Sequence, residues 1–141
     1  MGVDLDWEWL YICWDMKKSD VFVLPQSQEI IKYVRRHYHN DLEFLWVKLP
    51  LAAVWRNSAS RKWYGVMMIL PRSKIGLSGD GMAEVLNLHA EPAFIDMVVD
   101  RVRFFPGYHM NKRHWLTICL DGSIATEDVI KLLDASFALS H

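Results

Sequence analysis

Tyr108, His109, Asn111, Lys112, Arg113, His114 and Trp115 gather side chains able to bind, stack or carry a proton within one short run. Two histidines there could ligate a metal with a third donor, but no cysteine or acidic cluster accompanies them, so a metal site is not expected. Ser123, His114 and Asp121 supply the residue types of a hydrolytic triad. No GxSxG elbow surrounds the serine, and Cys119 sits in mid-strand without a base, so neither catalysis nor a cofactor is expected. Binding chemistry is what remains. Lys112 and Arg113 can neutralise phosphates, Asn111 and Tyr108 can hydrogen-bond to phosphate oxygens or base edges, and Trp115 can stack or fill a core.

A strand must position this cluster. Leu116, Ile118 and Leu120 alternate with Trp115, Thr117 and Cys119, a period of two, and Asp121-Gly122 ends the run. Before the cluster, Glu91-Pro92 starts a helix whose stripe is Phe94, Ile95, Val98, Val99 and Val102, and Phe104-Phe105-Pro106-Gly107 breaks it. Further upstream, Ala52–Arg56 and Arg61–Leu70 form a hairpin around Asn57-Ser58-Ala59-Ser60. Its second strand is apolar on both faces, Tyr64, Val66, Met68 and Leu70 against Trp63, Met67 and Ile69. That pattern places it centrally in the sheet.

Ala83–Ala90 reads as another strand, and Gly79-x-Gly81 before it as an ordinary turn without phosphate-loop spacing. Ser27 is the expected N-cap of an amphipathic helix with Ile30, Ile31, Val34 and Tyr38 inward and Lys32, Arg35 and Arg36 outward. A last helix begins near Thr126, with Val129, Ile130, Leu133 and Phe137 inward and Lys131 and Asp134 outward. Residues 3–16 fit strand or helix equally, and Trp7, Trp9 and Trp14 there require an apolar surface to cover.

Net charge is −1, but the charges are segregated. From Phe44 to Gly79 there is no acid, while Lys48, Arg56, Arg61, Lys62, Arg72 and Lys74 are basic. From Arg101 to Leu120 there is again no acid, with Arg101, Arg103, Lys112 and Arg113. All 17 acids lie elsewhere. A total near zero conceals the local fields that such segregation creates.

The length of 141 residues and 52% hydrophobic content fit one packed domain, and no apolar run reaches the ~20 residues of a membrane span. The opening Met-Gly-Val-Asp-Leu-Asp is acidic where an export signal is basic, and Cys13 and Cys119 lie in apolar surroundings. A cytoplasmic protein with reduced thiols is expected.

Several motifs occur together: Pro106, Tyr108-His109-Met110-Asn111-Lys112, His114-Trp115, Leu120-Asp121-Gly122 and the closing Leu133-x-x-Ser136-Phe137. With Leu45-Trp46-x-Lys48-x-Pro50 and Lys62-Trp63-Tyr64 upstream, residues 26 to 140 resemble the MmcQ/YjbR family of small bacterial proteins. The resemblance implies an α+β fold of frataxin (CyaY) type, an antiparallel sheet with helices packed on one face as a two-layer sandwich. It also implies a domain over 26–141 and DNA binding as the function; outside the resemblance, the Trp-rich extension 1–25 is expected to pack on that domain or to build a partner interface. Frataxin-type iron binding does not follow, because the first helix carries Lys32, Arg35 and Arg36 in place of an acidic ridge. The expected interface comprises Arg56, Arg61, Lys62, Tyr108, His109, Asn111, Lys112, Arg113, His114 and Trp115 on double-stranded DNA. A pocket for a small anionic ligand, or a surface for a protein partner, is the competing reading.

Overall fold

The structure, a computed structural model, describes residues 21–46 and 51–141. The readings made for Trp7, Trp9, Cys13, Trp14 and Lys48 fall outside those residues.

The first helix among the described residues, α1, spans Pro25–Tyr38. Its start differs from the expectation of a Ser27 cap. Pro25 occupies the first turn, where a missing N–H costs nothing, and the N-cap Leu24 makes no side-chain cap. The Val23 and Leu24 N–H groups donate instead to the Glu84 carboxylate, at 3.1 and 3.3 Å. Ser27 is buried inside the helix and its Oγ has no partner among the described residues. Ile30 and Val34 are wholly buried, while Lys32, Arg35 and Arg36 are exposed, as the periodicity predicts.

Five strands follow among the described residues: β1 Ala52–Arg56, β2 Trp63–Pro71, β3 Met82–His89, β4 Phe104–Pro106 and β5 Trp115–Cys119. They form one antiparallel sheet in the order β1-β2-β3-β5-β4. A 3-10 turn, Arg72–Ile75, leaves β2; a short helix, α2 (Pro92–Val98), links β3 to β4; and α3 (Thr126–Ala138) closes the chain. This is the expected α+β architecture. One face of the sheet carries the main core, where Ile30 and Val34 of α1, Ile95 of α2 and Val129 and Leu133 of α3 meet Trp55, Leu86, Leu88, Leu116 and Ile118. Full burial of each aliphatic side chain there contributes about 1.5–3 kcal/mol. Leu70, Ala83, Val85, Phe105 and Cys119 form a second cluster on the opposite face, which explains why β2 reads as apolar on both sides.

Four expectations need correction. A bulge between Trp55 and Arg56, which pair with Gly65 and Trp63, leaves Tyr64 out of register. The bulge turns Tyr64 onto the helix side, stacked on Trp55 at 6.4 Å, rather than beside Val66. The helix after Glu91 stops at Val98, and Val102 is 70% exposed. It ends because Asp100 Oδ1 accepts the N–H groups of Val102, Arg103 and Phe104, each at 3.0 Å, an alternative to further helix. Phe104–Pro106 is therefore more than a breaker; it is edge strand β4, paired with β5. Asp134 faces inward as well, accepting hydrogen bonds from the Tyr33 and Tyr38 hydroxyls at 2.8 and 2.6 Å and so tying α1 to α3. Burial, reinforced by that carboxylate, pushes the Tyr33 hydroxyl up to about 12.

Candidate anion and nucleic-acid interface

The loop between β4 and β5 folds back over the sheet face opposite the helices. Its first residue, Gly107, lies so close to β5 that a Cβ there would meet the Trp115 Cβ at 2.8 Å and the Trp115 carbonyl at 2.9 Å. No other residue type fits that approach. Tyr108 is then held by both of its backbone groups. Its N–H donates to Thr117 Oγ1 at 2.9 Å, and its carbonyl accepts from Asn87 Nδ2 at 3.4 Å. The Thr117 hydroxyl in turn donates to Asn87 Oδ1. Asn87 and Thr117 are both fully buried, so this polar network is shielded from water and holds the loop firmly.

Beyond Tyr108 the chain turns through His109, at φ 58°. Asn111 Oδ1 accepts the Arg113 N–H at 2.9 Å, and the Asn111 carbonyl accepts those of His114 and Trp115. Asn111, expected to touch a ligand, thus uses its side-chain oxygen to shape the turn that presents Lys112 and Arg113 to solvent.

Beside this loop lies a cleft of about 600 Å³. Lys74 from the turn after β2, Arg101 before β4, and His109 and Lys112 from the loop line its walls. No acidic residue lines it, and Lys74, Arg101 and Lys112 form no ion pair among the described residues. Its floor is apolar: Ile75, Phe105, Pro106 and Tyr108. The two acid-free stretches, separate in sequence, therefore meet in space. Lys74 belongs to the first, Arg101 and Lys112 to the second.

At the far end of the sheet the β1–β2 hairpin approaches the same loop. His89, the last residue of β3, lies parallel to His114 with centroids 5.9 Å apart and meets Trp115 edge-on at 5.3 Å. Burial of the His89 ring, followed by the nearby charge of His114, lowers its pKa; Lys62 acts the same way and Glu91 opposes them. The His89 Nδ1 is buried without a partner among the described residues. Arg61 and Lys62 are exposed on the hairpin, and Lys62 Nζ donates to the His141 carbonyl at 2.7 Å. Arg56 is different. It is half-buried and ion-paired with Glu43 at 3.5 Å, so its charge is already met.

The predicted residues thus divide. Tyr108, His109 and Lys112 enter the cleft, with Lys112 Nζ donating to the Gly107 carbonyl at 3.2 Å; Lys62, His114 and Trp115 surround His89; Arg61 and Arg113 are exposed on the two loops; Arg56 and Asn111 have structural partners. Lys74 and Arg101 were visible only as charge in acid-free stretches, and nothing marked His89. The hydrolytic trio does not assemble, because His114 precedes β5 and Asp121 follows it, at opposite ends of a strand about 17 Å long. Burial pushes the Cys119 thiol up to about 11, so it is not a ready nucleophile. No group of three His, Cys, Asp or Glu side chains is placed to hold a metal among the described residues.

Residues 26–139 match the YjbR family. The chain belongs to that family. Bacillus subtilis YyaQ, itself an uncharacterized protein, is 34% identical over 113 residues, covering 80% of this chain and 96% of YyaQ. A crystal structure of a Pseudomonas syringae protein superposes with a TM-score of 0.77 at 34% identity, covering 81% of this chain and 97% of that one. A Deinococcus radiodurans protein, 24% identical with a TM-score of 0.53, shares the fold over 72% of this chain and 67% of its own. Within this YjbR chain, the motifs that carry the resemblance fall on the loop of Tyr108 to Trp115 and on Ser136-Phe137 of α3, which packs against β2 and β3.

Proposed function

We propose that the protein is a non-catalytic DNA-binding module of the bacterial cytoplasm that contacts phosphates through the cleft and the two loops beside it. One observation carries this reading: cations from both acid-free stretches converge on one cleft that no carboxylate among the described residues neutralises. A recognition helix of helix-turn-helix type is not part of the proposed surface, so contact with the backbone is favoured over base readout. No helix among the described residues is long and apolar enough to cross a membrane.

Lys62, Lys74, Arg101, Lys112 and Arg113 would neutralise about five phosphates. The logarithm of affinity then falls against that of salt with a slope of about −4.5, a loss of roughly 500-fold between 50 and 200 mM. Fluorescence anisotropy on a random duplex measures this. A flat salt dependence refutes the reading. An Arg101→Glu, Lys112→Glu pair that leaves affinity unchanged removes the cleft from the interface. A small anionic ligand is the second reading, favoured by the concavity of the site; a thermal-shift series of anionic metabolites without stabilisation counts against it.

A further inference from the structure

We infer that the cleft accommodates one unpaired nucleotide, its phosphate against Arg101 and Lys112 and its base against the Tyr108 side of the floor, so that single-stranded DNA is bound in preference to duplex. The inference rests on the phosphate-binding reading and narrows it. Shape is the first argument. The phosphates of a duplex are carried on the outside of a rod and are met by exposed side chains such as Arg61, Lys62 and Arg113. A concave volume of about 600 Å³ lies instead in the range of sites for small ligands. Composition is the second. Ile75, Phe105, Pro106 and Tyr108 give a phosphate nothing, whereas a base has two apolar π-faces that gain by leaving water against such a floor.

Rigidity is the third. Phe105 is 2% exposed and serves as fixed support, while Tyr108 is half-buried with both backbone groups bonded to the Asn87–Thr117 network. The His109 ring meets the Tyr108 ring at 4.1 Å, which further limits its motion. A platform fixed beforehand loses little entropy on binding. The Asn111 side-chain oxygen is already committed, so readout of base edges is sparse and the preference is tolerant of sequence.

The test compares a 12-nucleotide strand of mixed sequence, the matching duplex, the same duplex with a three-nucleotide gap, and free AMP, using anisotropy for DNA and thermal shift for AMP. The expected result is tighter binding of strand and gapped duplex than of intact duplex, by about five- to 160-fold, the range given by stacking of one base. Tyr108→Ala is expected to remove most of that advantage, and Tyr108→Phe to retain it. The gapped duplex reports on the wild-type protein and needs no variant to fold. Equal binding of all three DNAs with the steep salt slope intact overturns the inference and leaves the phosphate reading standing. Loss of all DNA binding overturns both. Stabilisation by AMP without any strand advantage overturns the single-strand preference and assigns the cleft to a free nucleotide.

Discussion

Replacing Ser136 by alanine tests how α3 holds the sheet that carries the site. Ser136 is fully buried. Its hydroxyl donates to the Tyr64 carbonyl at 2.6 Å and accepts the His89 N–H at 2.9 Å. Those two backbone groups need it, because the β2–β3 ladder ends at the Val66–Asn87 pair and the bulge puts Tyr64 out of register. Alanine leaves a buried donor and a buried acceptor without partners, each costing about 1–3 kcal/mol. A loss of about 2–6 kcal/mol is expected, a large part of the ~5–15 kcal/mol that holds a domain of this size. The melting temperature should fall by roughly 7–20 °C. Urea unfolding followed by tryptophan fluorescence gives the free energy, with Ser73→Ala on the exposed turn as a control expected within about 0.5 kcal/mol of wild type. A Ser136→Ala loss no larger than that of the control would refute the argument that this hydroxyl completes the ladder.

Thr117→Val removes the acceptor for the Tyr108 N–H and the donor to Asn87. Faster amide exchange at Tyr108 and weaker ligand binding are expected, and unaltered exchange would show that the network does not hold the loop. His89 has a lowered pKa, so protonation favours the unfolded chain. Stability is complete above the usual histidine value of 6.5 and declines as pH falls through it. Urea midpoints at pH 7.5 and 5.5 should differ more for wild type than for His89→Gln, and equal differences would dissociate the ring from the effect. Three backbone N–H donors hold the Asp100 carboxyl down at about 2. A carbon-detected NMR titration should find it still ionised at pH 3, and a midpoint near 3.8 would mean the Asp100 turn does not persist in solution.

Local pattern and physical type were enough for much of the fold. The 3.6-residue period of Ile30, Val34 and Tyr38, the two-residue period from Trp115 to Leu120 and the Asp121-Gly122 turn each reflect interactions within a few residues. Where the chain expectation differed, a distant partner decided. Glu84, about 60 positions from Leu24, supplies the acceptor for the N–H groups at the start of α1, a role expected of Ser27. The position of Tyr64 follows from a bulge against β1, and the identity of Phe104–Pro106 as a strand from the existence of β5 beside it.

The same division holds for the site. Two acid-free stretches are a property of the sequence, as are the Tyr, His, Asn, Lys and Arg side chains between Tyr108 and His114. Only the antiparallel order β2-β3-β5-β4, with the loops folded over the face opposite the helices, brings Lys74 beside Arg101 and Lys112. Only packing decided that Arg56 meets Glu43 and that Asn111 shapes a turn. Charge is written residue by residue, whereas the distance between charges, which sets the field a ligand meets, is a product of the whole fold.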